Sequence, residues 1–412
     1  MSQQVTILGA GIVGICCALS LVQRGVSVRL IDRVEPGQST SYGNAGVISP
    51  WSFIPMSLPG VARNIPSLMM SPHKPLKVNA RFWPKMIPWG KRFLGRANET
   101  SVRSAADGLQ ALCGPSIQLY RNHLDGTGNE NLIVDSCYVH AYRDPSRANL
   151  EAIDYRIRIE RGADLEALNQ KQLSDLEPDL SSEFKAAVLI KGQARALSPA
   201  SLSNTLFEKA RRLGAEFVKD EISDVFNGPN GWELQTTDRK GTAQNLVLAA
   251  GVWSKKLLEP LGVEIPLVPE RGYHIEVSNT DVVINNSIMD VEAKTVASSM
   301  NNGLRLAGAA EFANSEDLPD KDREALLTRQ VKAMFPKLKA EEFRFWMGRR
   351  PSFPDSLPII GPIHGIANLY GAFGHSHFGL MCAPKTGELI ADLLTSEISP
   401  HELQAYSSER FG

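Results

Sequence analysis

The first 32 residues alternate short apolar runs with a glycine-rich turn. Val5–Leu8 is short enough to be a buried strand, and the amphipathic stretch Ile15–Arg24, closed by Gly25, predicts a helix. A second apolar run, Val26–Ile31, predicts another strand and ends at Asp32. The pattern therefore predicts a strand–helix–strand unit at the start of the sequence.

Apolar patterns further along the chain predict more elements of both kinds. The amphipathic stretch Ser201–Leu213 predicts a helix, and Ala383–Leu394 predicts a last helix. The other predicted strands are short apolar or alternating runs, namely Glu216–Lys219, Asn245–Ala250, Arg271–Val277 and Gly303–Gly308. Strands and helices thus alternate along much of the chain, as they do in α/β proteins.

Glycines join the first predicted strand to the first predicted helix. The turn has the pattern GxGxxG and comprises Gly9, Ala10, Gly11, Ile12, Val13 and Gly14. In this pattern the first glycine permits a tight turn, the second lets a pyrophosphate approach the backbone, and the third lets helix and strand pack closely. Asp32 follows about 20 residues on, where a carboxylate accepts hydrogen bonds from a ribose. We therefore expect a bound dinucleotide, and these features do not distinguish FAD from NAD.

Length, charge and cysteine content narrow the class of protein. A chain of 412 residues exceeds what one hydrophobic core usually organises, so we expect two domains. The formal net charge of -1 gives no reason to expect a nucleic-acid partner. The five cysteines include no CxxC pair, so we expect neither a disulfide framework nor a metal site, and a reducing cytoplasm is favoured.

Three further segments carry a resemblance to a known family. They are Ser39–Pro50, Trp346–Gly361, which contains a Gly-Arg-Arg-Pro run, and Gly371–Leu380, which leads into the last predicted helix. Together with the opening unit they resemble the D-amino-acid dehydrogenase branch of the FAD-dependent amino acid oxidoreductases. That group contains D-amino acid oxidase, glycine oxidase and sarcosine oxidase. The likeness runs nearly end to end and implies FAD as the cofactor.

The resemblance also implies which residues contact FAD. The segment after the second strand would wrap the pyrophosphate and approach the isoalloxazine ring, and the segment before the last helix would bring N–H groups to the pyrimidine edge of the flavin. Besides the glycine turn and Asp32, the predicted cofactor-binding residues are Arg33, Thr40, Ser41, Asn44, Ala45, Gly46, Ile222, Ala250, Gly251, Gly374, His375, Gly379 and Leu380.

Five residues are candidates for the catalytic site. Arg350 occupies the place of the arginine that binds the substrate carboxylate in the similar enzymes, and a structural ion pair is the alternative. His375 and His377 are candidates to accept the proton of the substrate amine, a role that water or a backbone carbonyl could also fill. Tyr273 and His274 lie on opposite faces of a predicted strand, so either could reach the pocket, and a packing role stays open for both.

The resemblance and the order of elements predict an interleaved α/β fold. We expect a Rossmann-type FAD-binding domain assembled from residues 1–50, 195–260 and 350–412. The substrate-binding domain, an α+β domain on an antiparallel or mixed sheet, would comprise residues 51–194 and 261–349.

Residues 51–97 combine aromatic, aliphatic and basic side chains. No Asp or Glu occurs between Glu35 and Glu99. This composition fits peripheral contact with the anionic inner face of the plasma membrane, and it fits equally a substrate-domain insertion whose apolar face is core. Both interpretations stay open at the level of sequence.

The activity that the resemblance implies is hydride transfer from the Cα of a small amino acid to flavin N5. The expected substrate is a D-amino acid that is D-alanine-like or D-proline- or hydroxyproline-like, and the electrons would pass to a quinone or another respiratory carrier. The alternatives are an oxidase that uses oxygen, a nicotinamide-dependent dehydrogenase, and an FAD-binding subunit of a larger amine or opine oxidoreductase.

Overall fold

A computed structural model of the chain describes residues 4–229, 231–236, 240–340 and 342–411. Within these ranges the α-helices are α1 (Ile12–Gln23), α2 (Val61–Met70), α3 (Trp83–Gly95), α4 (Glu99–Cys113), α5 (Ser116–Leu124), α6 (Ile153–Glu160), α7 (Gln170–Leu176), α8 (Pro199–Arg212), α9 (Ser254–Leu258), α10 (Asp322–Met334) and α11 (Gly379–Leu394).

The strands of the same ranges are β1 (Gln4–Leu8), β2 (Ser27–Asp32), β3 (Val47–Ile48), β4 (Leu76–Val78), β5 (Ile133–Tyr142), β6 (Leu165–Asn169), β7 (Ala186–Ala196), β8 (Glu216–Lys219), β9 (Asp224–Gly228), β10 (Gly231–Gln235), β11 (Lys240–Ala243), β12 (Asn245–Leu248), β13 (Val268–Ser278), β14 (Ser287–Asp290), β15 (Thr295–Met300), β16 (Gly303–Phe312), β17 (Glu342–Ser352), β18 (Ile359–Pro362) and β19 (Leu369–Phe373).

The smaller of the two large sheets has β1 near its centre and the strand order β18-β19-β12-β1-β2-β8. Its strands run parallel except β18, which pairs antiparallel with β19. Both faces are covered, because Val5 and Ile7 belong to the same core as α1, whereas Leu8 packs with Trp232 of the small sheet β9–β11. A strand that is buried on both faces consists mostly of apolar residues. For this reason β1 could be predicted from the sequence.

The larger sheet has the strand order β17-β13-β16-β15-β14-β5-β7-β3, with β4 added beside β16 and β6 beside β7. Most of its pairs are antiparallel. One face packs on α10, so that Ile275 and Leu306 share a core with Leu327 and Val331. The opposite face is the one that borders the site described below.

The predicted fold class is confirmed, since a mostly parallel sheet and a mixed sheet are interleaved along one chain. The smaller sheet takes its strands from residues 4–32, 216–248 and 359–373. The domain boundaries themselves stay a prediction, and the predicted boundary at residue 350 falls inside β17, which belongs to the larger sheet. Among the described residues, no helix combines the length and the apolar character needed to cross a bilayer.

Some elements are longer than the sequence predicted. Helix α1 begins at Ile12, directly after the glycine turn, and α11 begins at Gly379, four residues before the predicted start. Strand β13 begins at Val268 and so includes Glu270, where a charged residue interrupts the apolar pattern. The charge is accommodated inside the sheet because Glu270 has partners there, as shown below.

Close packing of α1 against α11 depends on a glycine. A Cβ atom added at Gly387 would lie 2.5 Å from the carbonyl oxygen of Cys16 and 3.0 Å from the amide nitrogen of Cys17. These are backbone atoms of α1, so the clash can be relieved only if the two helices move apart. The position of α11, and with it the segment that precedes α11, therefore depends on the absence of a side chain at residue 387.

We expect Gly387→Ala to lower the free energy of unfolding by about 2 kcal/mol, because overpacking against backbone is not relieved by a rotamer change. Gly90→Ala is the matched control, since Gly90 also lies within a helix and a Cβ there would meet nothing within 4 Å. The control should be neutral or slightly stabilising. Thermal unfolding followed by circular dichroism measures both, and equal midpoints for the two variants would contradict the packing account.

Candidate active site

One large cavity, of about 1780 Å3, is lined by residues from both sheets. At one end it reaches the turn between β1 and α1 and the carboxyl end of β2. At the other end it reaches β13, β16 and β17 of the larger sheet. The cavity thus lies at the carboxyl edge of a mostly parallel sheet, where ligands bind in α/β folds.

The glycine turn leaves room for a ligand at the first end. Gly9 has φ +111°, and a Cβ there would lie 2.4 Å from the carbonyl oxygen of Ala249, so only glycine fits. A Cβ at Gly14 would lie 1.9 Å from the carbonyl oxygen of Gly9, which shows how closely α1 starts against the turn. The first N–H groups of α1 have no partner within the helix and carry its positive dipole end. This end of the cavity is therefore suited to an anion such as a pyrophosphate.

Asp32 closes the same end of the cavity. Its Oδ2 accepts a hydrogen bond from the N–H of Ala10 at 2.6 Å, and its Oδ1 accepts one from the N–H of Val34 at 3.2 Å. Burial raises the pKa of Asp32, and the two N–H donors oppose that rise. The neighbouring Arg33 stacks over the ring of Trp253 at 4.4 Å and pairs with Glu221. The carboxylate is thus fixed in place at the cavity wall.

The segment from residue 40 to 46 is bonded to α1 and to the larger sheet. The hydroxyl of Ser41 accepts a hydrogen bond from the N–H of Ile12 at 2.9 Å, and the hydroxyl of Thr40 donates to the carbonyl of Arg349 at 3.1 Å. Arg305, which sequence reasoning did not single out, donates from Nη1 to the carbonyls of Tyr42 and Asn44 at 3.0 and 2.6 Å. These bonds hold the segment against the larger sheet.

The segment before α11 forms a further wall. Gly374 has φ +91°, and a Cβ there would lie 2.1 Å from the ring of Phe353. His375 is buried, its Nε2 lies 3.0 Å from the hydroxyl of Thr386, and burial lowers its pKa to about 3. The buried hydroxyl of Ser376 has no partner among the described residues. The α11 helix then begins at Gly379, so its N-terminal N–H groups lie at the cavity.

Most of the residues predicted to bind a cofactor line this cavity. The cavity-lining ones are Gly9, Gly11, Ile12, Val13, Asp32, Arg33, Thr40, Ser41, Asn44, Ala45, Ile222, Ala250, Gly251, Gly374, His375, Gly379 and Leu380. Ala10, Gly14 and Gly46 are not at its surface; they shape the backbone behind it. The backbone of Gly46 is bonded within the protein. Its N–H donates to the side chain of Asn44 at 2.9 Å, and its carbonyl accepts a hydrogen bond from the N–H of Ala196.

These features fit FAD. The glycine turn offers a cradle that a Cβ at Gly9 would fill, and the Asp32 carboxylate is held where a ribose would lie. The unpartnered hydroxyl of Ser376 and the first turn of α11 offer polar donors at the far wall. The site residues themselves stay a prediction, which rests on this agreement between the donor set and the ligand.

The end of the cavity at the larger sheet contains an ion pair between the half-buried Arg350 and the buried Glu270. Arg350 donates from Nη1 to Oε1 of Glu270 at 2.8 Å and to the carbonyl of Ala309 at 3.0 Å. The other carboxylate oxygen of Glu270 accepts from the hydroxyl of Ser352 at 2.8 Å. Ala309 has φ +57°, a strained conformation for a residue with a Cβ, and its carbonyl is one of the two acceptors of Nη1. The guanidinium is therefore held firmly.

Gly272 is what lets the guanidinium lie against the sheet. A Cβ at Gly272 would lie 2.3 Å from Nη2 and 2.8 Å from Nε of Arg350. Within the described residues, these two nitrogens donate no hydrogen bond. Both alternatives raised for Arg350 from the sequence are thus compatible with the structure, because one nitrogen makes an ion pair and the remaining edge keeps its donors.

His375 and His377 both line the cavity, but only His375 is buried. His377 lines the cavity, and its accessible surface faces the cavity. The surrounding protein lowers the pKa of His377 to about 4, mainly because the cavity walls displace water from around the ring; the charge of Glu270 opposes that effect and the charge of Arg350 adds to it. His377, Glu270 and Arg350 thus line the same cavity.

Tyr273 and His274 both have packing partners, which agrees with the packing role left open for them in the sequence. Tyr273 borders the cavity, but its hydroxyl donates to Glu311 and its ring stacks on Phe345 with centroids 5.6 Å apart. The ring of His274 stacks on Trp346, and its Nδ1 lies 3.1 Å from the carbonyl of Gly43. Burial lowers the pKa of His274 to about 3, so the ring is neutral at neutral pH.

Sequence reasoning missed Glu270, although a signal was present. Glu270 lies one residue before the strand that was predicted from alternation, and it is an acid that directly follows the apolar run at residues 265–269. An acid at such a position needs a buried partner, because an unpaired buried carboxylate is costly. The partner becomes visible only through the register, in which Glu270 lies opposite Arg350.

Comparisons with known proteins agree with this site. The family model described as "FAD dependent oxidoreductase" (DAO) matches residues 4–393. A D-amino-acid oxidase of Bradyrhizobium diazoefficiens is 34% identical over 99% of this chain and 99% of its own length. A D-amino acid dehydrogenase of Vibrio atlanticus is 27% identical over 99% of this chain and 100% of its own length.

Solved structures share the fold. Glycine oxidase from Geobacillus kaustophilus has a TM-score of 0.75 at 18% identity, with 98% of this chain and 98% of that chain covered. L-proline dehydrogenase from P. horikoshii has a TM-score of 0.75 at 18% identity, with 100% of this chain and 98% of that chain covered.

The resemblance drawn from the motifs is thereby confirmed, and the choice between FAD and NAD falls to FAD. The match of the family model extends over nearly the whole chain, including the glycine turn, the Arg350 strand and the start of α11. The chain belongs to the DAO family of FAD-dependent oxidoreductases.

Proposed function

We propose that this FAD-dependent oxidoreductase oxidises the bond between Cα and the amine nitrogen of a small D-amino acid and passes the electrons to a quinone or another respiratory acceptor. The observation that carries the proposal is the arginine of β17, held by Glu270 beside a neutral histidine in the same cavity as the glycine turn. A D-alanine-like or a D-proline- or hydroxyproline-like amino acid fits the account.

Arg350 would bind the substrate carboxylate. Its Nη1 is used by Glu270 and Ala309, and the free donors on Nε and Nη2 are those that a carboxylate can accept as a pair. Since Glu270 and Gly272 fix the plane of the guanidinium, the carboxylate would be fixed in orientation as well as in position. When the carboxylate is fixed, the Cα hydrogen of the substrate can point in only one direction, as an oriented reaction requires.

FAD, when bound, supplies the acceptor for the hydride that leaves Cα. The residues of this chain have the remaining task of keeping the amine neutral while the hydride leaves. His377 is neutral above a pKa of about 4, so at neutral pH a ring nitrogen is free to accept a hydrogen bond from the amine. His375 is the weaker candidate because its Nε2 is already bonded to Thr386 and its ring is buried. A primary amine would give an imino acid that hydrolyses in water to a keto acid and ammonia, whereas a proline-like secondary amine would give a cyclic imine.

The names of relatives bear on both the D-configuration of the substrate and the identity of the electron acceptor. Relatives named D-amino-acid oxidase and D-amino acid dehydrogenase match nearly the full chain, which supports a D-amino acid as substrate. The relative at 34% identity is named an oxidase, and this favours direct use of oxygen as the second candidate activity. Release of hydrogen peroxide in stoichiometric amounts during turnover would decide for the oxidase.

We expect the purified protein loaded with FAD to lose its absorbance near 450 nm when a substrate is added without oxygen. The panel should include D-alanine, D-proline, D-hydroxyproline, their L-enantiomers and glycine. Bleaching by at least one D-amino acid, at a rate at least about tenfold above that of its L-enantiomer, supports the proposal. Bleaching only by L-amino acids would overturn the stereochemical part, and bleaching by no amino acid would overturn the function.

The low pKa of His377 predicts the shape of the pH profile. Between pH 8 and pH 5 the His377 ring stays neutral, so log kcat/KM should fall with slope 1 from the ionisation of the substrate amine alone. A histidine with the ordinary pKa near 6.5 would add a second proton and steepen the slope to 2 below that pH. His377→Gln should keep the slope and lower kcat/KM. A slope of 2 in the wild type that falls to 1 in the variant would contradict the low pKa of His377.

A further inference from the structure

Helices α2 and α3 expose large apolar side chains that a globular surface normally avoids. Met70 of α2 is 79% exposed and Ile87 of α3 is 68% exposed. No residue of α2 is buried, although Val61, Ile65, Leu68 and Met69 make it strongly apolar. Residues 61–70 and 83–96 are together called the α2–α3 surface below.

Helix α3 has two separate apolar stripes. One stripe is buried against Val268 and Phe312 and consists of Met86, Trp89 and Phe93. The other consists of Trp83, Ile87 and Leu94, whose spacing of four and seven residues places them along one line of the helix. All three are exposed, Trp83 by 43% and Leu94 by 42%. The first stripe accounts for the fold of α3, and the second has no role in it.

The charged residues of the α2–α3 surface are all positive. Between Glu35 and Glu99 the chain carries eight Lys or Arg residues and no Asp or Glu. Lys77 pairs with Asp320. Arg63 and Lys91 are exposed and form no ion pair within the described residues. The exposed apolar stripe is therefore flanked by free positive charge.

The cavity opens at the α2–α3 surface. Side chains that are both exposed to solvent and part of the cavity lining occur on both helices, namely Asn64, Ser67, Trp83, Ile87, Lys91 and Leu94. The same cavity extends inward to Glu270, Arg350 and His377. A molecule entering past α3 would thus reach the candidate active site without crossing the protein exterior.

We propose that the α2–α3 surface docks on an anionic lipid bilayer, so that the cavity opens towards the membrane. Apolar side chains beside free basic residues match the acyl boundary and the charged headgroups of such a bilayer. A second copy of the chain is a poorer partner, since the same positive residues would face each other. The consequence for catalysis rests on the proposed function: a lipid-soluble electron acceptor would enter the cavity directly from the bilayer.

The test is co-sedimentation of the FAD-loaded protein with vesicles of phosphatidylcholine alone or of phosphatidylcholine and phosphatidylglycerol at 7:3. We expect binding to the anionic vesicles at low salt, little binding to the neutral ones, and a marked loss at 0.5 M NaCl. Met70→Ser/Ile87→Ser should lower the partition coefficient about tenfold because two large apolar side chains no longer leave water.

A matched control removes two exposed apolar side chains elsewhere. Phe226 is 49% and Val283 is 69% exposed, and both lie far from α2 and α3 in sequence. Phe226→Ser/Val283→Ser should bind the vesicles like the wild type, and thermal unfolding checks that both double variants are folded.

Three outcomes would overturn the inference: no binding to anionic vesicles at low salt, equal loss in both double variants, or a wild-type dimer that Met70→Ser/Ile87→Ser abolishes without vesicle binding. Flavin bleaching by amino acids in solution needs no membrane, so it tests the proposed function separately.

Discussion

The register between β13 and β17 places a carboxylate opposite a guanidinium, and the site depends on that pair. Glu270 lies opposite Arg350, and Gly272 lies opposite Gly348. The missing side chains of the two glycines leave room for the guanidinium of Arg350 and the ring of Trp346. An ion pair of this kind contributes little net stability, because the buried Glu270 loses its hydration and Arg350 loses part of its own. What the pair contributes here is orientation, since a guanidinium bound on one nitrogen to Glu270 and Ala309 presents its other edge in one direction.

The same sheet also holds the segment that would wrap the cofactor. Arg305 on β16 binds the carbonyls of Tyr42 and Asn44, and Trp346 on β17 lies so close to Gly43 that a Cβ there would overlap its ring at 1.9 Å. Cofactor segment and substrate wall therefore form one packed unit. A change of register between β13 and β17 would displace both together.

The local part of this arrangement could be predicted from the sequence. The unit β1–α1–β2 follows from apolar runs, glycines and Asp32, because each signal lies within a few residues of the element that it specifies. The position of Arg350 came from the resemblance to a family, since no periodicity distinguishes it from Arg349. The structure separates the two, with Arg349 directed to the carbonyl of Ser315 and over the ring of Trp253.

The long-range part could not be predicted. Glu270 became meaningful only through its partner 80 positions away. Alternation showed that Tyr273 and His274 face opposite sides of β13, but it could not show that Glu311 and Gly43 would take their polar atoms. For residues 51–97 the composition left membrane contact and core packing equally open, and only packing shows that one apolar stripe of α3 is buried and the other is exposed.

The central claim is that Arg350 binds the carboxylate of the substrate. The most direct measurement compares kcat/KM for the best amino acid and for its carboxamide in the wild type, in Arg350→Gln and in Arg349→Gln. We expect the wild type and Arg349→Gln to prefer the amino acid by about 100-fold or more, and Arg350→Gln to lose most of that preference while it keeps its FAD. An undiminished preference in Arg350→Gln would contradict the account.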